Sequence, residues 1–588
     1  MRRLLCLLLL AFALPASAAD RPNVILIITD DQGYGDVGAH GNTILKTPNL
    51  DVLHGESIRF TDYHTDPTCS PTRAALMTGR YSTRVGVWHT INGRSMLPSE
   101  ELTLAEVFKA NGYKTALFGK WHLGDNAPMR PMDQGFEHVV WHKGGGVGQG
   151  PDYFGNDYFD DTYEVNGVKT KFEGYCTDIW FDETMKFIDK AKGKNKPFFA
   201  YLSTNAPHGP FIVADKYSDP YEKLGVPATN AKFYGMIANI DENLGKLRQY
   251  LDAQGLADNT LLIYTTDNGT ARGQFQNKDK KSIKGFNAGM RAQKGSQYDG
   301  GHRVPFFMHW PKGGMDKGKD IDTLCAHFDV LPTLVDVLSL KKPEGGALDG
   351  LSLRRVLEGD EDALPERTIF TATQRQFVPP KWERTAAMKG PWRLIDGKAL
   401  YHIKKDPGQT NDLAEKRPEE VAMMRQDYEK WWEEMQPSFE QIARYDLGGA
   451  ENPTTLMSHD WLMEEGRASW HQNHVRNNEL ANGPFMVNVV EAGKYKITPM
   501  RWPEYVDQPS GVVNVSIDIE SQHNDPAAPA AQANGGKVDP QKPIQAFEFD
   551  LPAGPASMTS TLTREDGKTF GAYFVKIELV EGDDPSGD

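Results

Sequence analysis

A chain of 588 residues, 39% hydrophobic and 25% charged, is too long for one core and too apolar to stay disordered, so two or three globular domains are expected. Lysine and arginine total 65 against 80 aspartate and glutamate, a net charge of -15. That excludes broad electrostatic attraction to nucleic acid or to an anionic membrane, and an anionic ligand has to be met by a local cluster of cations.

In chain order, Met1-Arg2-Arg3 precedes an apolar run from Leu4 to Leu14 that ends in Pro15-Ala16-Ser17-Ala18. A charged start, a short apolar stretch and small residues at the end read as a secretory signal peptide over residues 1–18, which predicts a secreted or periplasmic protein. The run is shorter than the about 20 residues that cross a bilayer, and no later segment is that long without charges. Too little sequence precedes Cys6 for a lipid-anchoring signal. Beyond the leader stand Cys69, Cys176 and Cys325, an odd number, so one thiol is left over while Cys176 and Cys325 either pair or stay reduced.

Asn23 to Thr29 is a β-branched apolar run stopping at Asp30-Asp31, as expected of a strand buried on both faces. Leu261 to Thr266 is a second, stopping at Asp267-Asn268-Gly269. Between them, Thr103 to Glu106 is a capping box for a helix closed near Gly112, and Met236 to Leu251 has helical apolar spacing. Strands alternating with helices over residues 20–364 predict an α/β domain, a largely parallel sheet sandwiched by helices, with ligand sites at the carboxyl ends of its strands. Residues 365–440 change to short strands followed by a helix from Pro418 to Met435, a small α+β unit. Over 450–588, Tyr495 and Ile497, then Val513, Val515, Ile517 and Ile519, then Tyr573, Val575, Ile577 and Leu579 alternate with polar residues and predict a β-sandwich. Asp525 to Gly536, rich in alanine, proline and glycine, reads as a mobile loop within it.

The segment Cys69-Ser70-Pro71-Thr72-Arg73, continuing to Thr78-Gly79-Arg80, predicts a helix capped by Ser70 with Pro71 in first position and Gly79 at its end. Cys69 then stands at a helix amino terminus, where free backbone donors and the helix dipole favour a sulfate or phosphate group. Asp30, Asp31, Asp267 and Asn268 offer three carboxylates and an amide oxygen, a hard set suited to calcium or magnesium rather than zinc.

Cys-x-Pro-x-Arg followed by Thr-Gly resembles the signature of the type I sulfatases of the alkaline phosphatase superfamily. Further blocks in the same order strengthen the resemblance: Gly119-Lys120-Trp121-His122-Leu123-Gly124, Asn205-Ala206-Pro207-His208-Gly209-Pro210, Lys294-Gly295-Ser296 and Gly300-Gly301-His302-Arg303. It covers about residues 21–435 and implies an alkaline phosphatase-like fold and hydrolysis of sulfate esters. It also implies that a formylglycine-generating enzyme oxidises Cys69 to formylglycine, whose hydrate carries two hydroxyls: one attacks sulfur, and the other collapses to the aldehyde and ejects sulfate. By the same resemblance Asp30, Asp31, Asp267 and Asn268 hold calcium, with magnesium the lesser candidate, and Asp267 is also a candidate to take the attacking hydroxyl's proton. Arg73 orients the formylglycine and Lys120 binds it together with the sulfate. His122 accepts the second hydroxyl's proton, and His208 with Lys294 holds the sulfate and protonates the leaving oxygen.

Trp88-His89, Trp141-His142 and Asp125 to Arg130 are candidates to line a substrate cleft, with core packing the alternative for the tryptophans. His302 is a candidate for a substrate-facing or supporting role, and Gly144 to Gly146 reads as a flexible loop. Trp461, Trp470 and Trp502 either bind carbohydrate or pack the tail against the body. The substrate expected is a sulfated small molecule or glycan, with sulfated polysaccharide preferred; the competing functions are a phosphodiester or phosphonate monoester hydrolase and a non-catalytic glycan-binding protein.

Overall fold

The strand Asn23–Thr29 runs through the middle of a ten-stranded sheet, with every residue from Val24 to Thr29 buried. It belongs to a computed structural model that describes residues 21–580 apart from 195, 277–282, 361, 374 and 523–531. The leader expected over residues 1–18 lies outside the described residues. Among them, no helix is long and apolar enough to cross a membrane.

Asn23–Thr29 pairs in parallel with Phe198–Ser203 on one side and Thr260–Thr266 on the other. Lys114–Lys120 and His138–His142 extend the parallel set, whereas Phe306–His309 and the hairpin of Thr162–Val165 with Val168–Lys171 run antiparallel. Continuous apolar strands are tolerated because both faces are covered. Val24, Leu26 and Ile28 pack against the helices Cys69–Thr78 and Leu104–Ala110, and Ile25 and Ile27 against Cys176–Gly193 and Ala228–Ala253. Each such aliphatic side chain contributes about 1.5–3 kcal/mol by leaving water. The predicted capping box forms: Thr103 Oγ1 accepts from the Glu106 backbone N–H at 3.2 Å, and the Glu106 carboxylate accepts from that of Thr103 at 2.8 Å.

Cys325 belongs to the core on one face of this sheet and Cys176 to the core on the other, and both thiols are free. The sheet stands between them, which resolves the open question of their pairing.

A four-stranded antiparallel sheet spanning Ile369–Ala372 to Ala399–His402 follows, covered by the helix Pro418–Met435 through Tyr428, Trp431 and Trp432. The tail folds as two sheets facing across one apolar core, as its alternation predicts. Two details differ from expectation. A bulge between Val512 and Asn514 shifts the strand's phase, so Val512 rather than Val513 is buried. Within the segment read as a loop, Gln532–Lys537 is an edge strand paired with Val512–Ser521, its glycines allowing close backbone approach; residues 525–531 lie outside the described residues.

Candidate active site

Both acidic pairs stand at the carboxyl ends of adjacent parallel strands, Asn23–Thr29 and Thr260–Thr266, whose register sets Thr29 opposite Thr266. Asp30, Asp31, Asp267 and Asn268 therefore meet in one place. Asp31 sits at φ 77°, outside strand geometry, and is held there because its backbone N–H donates to Asp267 Oδ1 at 3.0 Å. Its carboxylate accepts from Asn268 Nδ2 at 2.9 Å and from Lys294 Nζ.

Cys69 opens the helix Cys69–Thr78 and is 2% exposed. The helix starts earlier than predicted. Thr68, not Ser70, holds the capping position and makes no side-chain cap, and Pro71 is the third helical residue, where a missing N–H also costs no intrahelical bond. Ser70 Oγ is buried without a partner. The Cys69 thiol donates to Asp30 Oδ1 at 3.5 Å and accepts from Lys294 Nζ at 3.4 Å. Burial pushes it up to about 12, in spite of Lys120 and Lys294, so the thiol stays protonated at neutral pH and is a poor nucleophile as such.

Lys120 is fully buried at the end of Lys114–Lys120 and donates to Asp30 Oδ2 at 2.7 Å. The chain reaches it through Gly119 at φ 99°, where a Cβ would lie 2.1 Å from the Ser203 carbonyl oxygen. Arg73 grips Asp267 Oδ2 at 2.9 Å and donates to Ser203 Oγ, tying the Cys69 helix to the strand ends. Burial and neighbouring Asp267 push Asp30 well above the usual carboxylate range, against the pull of Lys120. Burial pushes Asp31 the same way, but Lys294 and His208 more than offset it and hold this carboxyl well below that range. Lys294 and His208 form the open side, their side chains 17% and 21% exposed.

The donor set fits a hard divalent cation. It consists of oxygens, and Asn268 Oδ1 is fully buried with no hydrogen-bond partner, a loss a metal at that point makes good. Asp30 and Asp31 each bring a carboxylate oxygen within 4.8 Å of the Cys69 thiol and a His208 ring nitrogen, so two of the four donors stand beside the nucleophile's position.

His208 Nε2 lies 3.9 Å from Asp31 Oδ2, and burial together with Lys294 lowers its pKa to about 4. His122 Nε2 lies 2.9 Å from the Thr90 carbonyl oxygen, leaving Nδ1 buried and unpartnered; burial and Lys120 keep this imidazole neutral. His89 has an indirect part, since its Nδ1 accepts from the N–H groups of Thr90 and Ile91 and so fixes the turn that holds His122.

The tail completes the site. His459 stacks obliquely beside His122 with ring centroids 5.8 Å apart, its Nδ1 2.7 Å from Asp460 Oδ1 and its Nε2 buried without a partner. Burial opposes its charge, but Asp460 and Asp125 prevail and raise its pKa. The motif blocks do not point to His459, because nothing local in Ser458-His459-Asp460 signals that it folds back on His122 and the turn at Asn92; a histidine next to an aspartate is the available cue. Gly144 to Gly146 is also not a flexible loop. All three are buried. A Cβ on Gly145 would lie 2.5 Å from the His122 ring, and the Gly144 and Gly145 N–H groups donate to Asp125 Oδ1 at 2.9 Å and Gln149 Oε1 at 3.0 Å.

The remaining candidates separate by position. Trp88 is buried, donates to the Gln376 carbonyl and lies under Arg94, which makes it core. Trp141, Asp125 and Asn126 line a cavity between body and tail, and His142 is buried beside Trp180. Ala127 and Arg130 dock the tail through Glu451. His302 faces inward, its Nδ1 2.9 Å from His64 Nδ1 in a buried network with Asp62 and Arg393, which excludes direct contact with substrate. Trp461 is core, Trp470 packs against His471 and His474, and Trp502 lines a second cavity.

A cysteine at a helix amino terminus, ringed by carboxylates, two lysines and two histidines on an α/β sheet, is a site for moving an anionic ester group. The chain belongs to the sulfatase family, whose Sulfatase model matches residues 22–340, and it is accordingly a sulfatase of the alkaline phosphatase superfamily that hydrolyses sulfate esters. It is similar to human N-acetylgalactosamine-6-sulfatase, with 31% identity over 452 residues covering 68% of this chain and 83% of that relative. Human arylsulfatase A is 31% identical over 393 residues, 62% of this chain and 73% of its own. Among solved structures, Ps i-CgsB in complex with k-i-k-neocarrahexaose is 29% identical with a TM-score of 0.63, covering 71% of this chain and 94% of that one. A phosphonate monoester hydrolase of Agrobacterium radiobacter, 23% identical with a TM-score of 0.51 over 71% of this chain and 96% of that one, shares the fold.

Proposed function

We propose that the chain removes sulfate from sulfated carbohydrate, with Cys69 oxidised to formylglycine as the nucleophile and calcium as the metal. The observation that carries this reading is the placement of Cys69: buried, protonated, and between the Asp30 carboxylate and the Lys294 ammonium. A thiol so placed is inert, whereas a hydrated aldehyde there supplies one hydroxyl to attack sulfur and another to release sulfate. A formylglycine-generating enzyme is the maturation partner, and the leader directs export to the periplasm or beyond. Asp30, Asp31, Asp267 and Asn268 would hold the calcium, which when bound would supply positive charge to polarise the sulfate oxygens.

The chain's own groups supply the rest. Lys120 and Lys294 neutralise the sulfate, a better match for a monoanionic ester than for a dianionic phosphate. Arg73 fixes the base of the site through Asp267. His208, on the open side, is placed to donate a proton to the leaving oxygen once the negative charge of a bound sulfate ester favours its protonated form, and neutral His122 to accept one during sulfate release. The names of N-acetylgalactosamine-6-sulfatase and of the neocarrahexaose complex support a sugar as the leaving group. Faster sulfate release from an aryl sulfate than cleavage of an aryl phosphodiester is the expected ranking, and the reverse ranking overturns the reading.

His459 positions His122 and helps keep it neutral. His459→Gln is expected to lower kcat on an aryl sulfate about tenfold with little change in KM. An unchanged kcat assigns His459 to packing alone.

A further inference from the structure

Two cavities meet along the seam between the catalytic body and the carboxyl-terminal sandwich. One, of about 270 Å³, is walled by Trp141, Tyr153 and Tyr505, and the other, of about 360 Å³, by Arg501 and Trp502; they share Met500, Pro503 and Glu504 and so form one groove. Tyr153 and Tyr505 stack with centroids 4.4 Å apart. The Lys169 ammonium lies 4.5 Å from the Tyr505 ring and the Arg501 guanidinium 4.8 Å from the Trp502 ring.

Among the described residues, neither cation has a carboxylate in ion-pair range. The Arg501 Nε–H and the Trp141 Nε1–H are both buried without acceptors. A buried donor left unpaired costs about 1–3 kcal/mol, so such donors lining a cavity call for a ligand that accepts hydrogen bonds. The walls also carry Asp125, Asp152, Glu164, Glu451, Glu504 and Glu578, so an anionic group has to be met at Lys169 and Arg501, which stand over aromatic rings with no ion-paired carboxylate. A sugar ring bearing sulfate or carboxylate meets all these demands, offering an apolar face to the rings, hydroxyls to the donors and charge to the cations.

We infer that this groove binds non-reacting residues of an anionic polysaccharide, with rings against Tyr505 and Trp502 and charged substituents at Lys169 and Arg501. The inference rests on the reading of the enzyme as a carbohydrate sulfatase. The groove is close to the chemistry, because its wall residue Asp125 clusters with His459 and Asp460, and His459 adjoins His122.

The test uses the full chain carrying Cys69→Ala, titrated with dextran sulfate and with unsulfated dextran. The same titrations are run after adding Lys169→Ala with Arg501→Ala, and separately after adding Trp502→Ala, with melting curves to verify folding. The groove substitutions in the active chain are also assayed on a small aryl sulfate. Affinity for dextran sulfate is expected to fall about tenfold or more, while kcat/KM on the aryl sulfate stays within about twofold. Unchanged affinity in both variants overturns the groove and leaves the sulfatase reading intact, and equal binding of unsulfated dextran overturns its anionic character. Loss of affinity in the groove variants, with no sulfate release by the chain that retains Cys69, supports the groove and overturns the proposed chemistry at Cys69 instead.

Discussion

Cys69→Ala is expected to lower kcat for sulfate release by at least about 10⁴-fold while leaving the fold in place. The side chain is small and stands at the first position of its helix, where alanine is tolerated, so packing changes little. What is lost is the nucleophile's position between Lys294 and the Asp30–Lys120 pair. Cys69→Ser is expected to be as inactive, because a single hydroxyl lacks the second oxygen that expels sulfate. Measurable turnover by Cys69→Ala, with matching melting curves, moves the nucleophile elsewhere.

The second large effect concerns the metal. Chelation is expected to abolish turnover and calcium to restore it, with magnesium the weaker substitute. Asp31→Asn is expected to cost about 10³-fold in kcat and to remove bound calcium, read by elemental analysis of dialysed protein. The reason lies in the charge balance. Asp30, Asp31 and Asp267 are buried together, and Asp30 is pushed well above the usual carboxylate range by burial and Asp267, a strain that a divalent cation relieves. Full calcium content and full activity in Asp31→Asn place the ion elsewhere.

What was legible in the sequence was local. Asn23–Thr29 and Pro418–Met435 were readable at their ends because apolar runs and a helix-starting proline are written in consecutive residues. The acidic pairs were readable as site residues because a parallel strand buried on both faces has to end where polar residues begin. The helix at Cys69 starts before the point its sequence suggests because a serine before a proline imitates a cap, whereas Thr68 supplies the extended backbone that a cap requires. The glycines at Gly144 to Gly146 imitate a flexible loop when read alone; they are buried against His122, His208 and Pro151, contacts that a run of glycines does not record. His459 was hidden for the same reason. Its partners Asp125 and His122 come from the body, and no periodicity records contacts made across a domain seam.

The most direct test of the central claim is peptide mass spectrometry across Cys69, on several preparations made with differing amounts of formylglycine-generating enzyme and each assayed for sulfate release. An aldehyde at position 69 is expected, with a specific activity that rises in proportion to its fraction and reaches zero where only thiol is found. Full activity in protein whose Cys69 is entirely unconverted contradicts it.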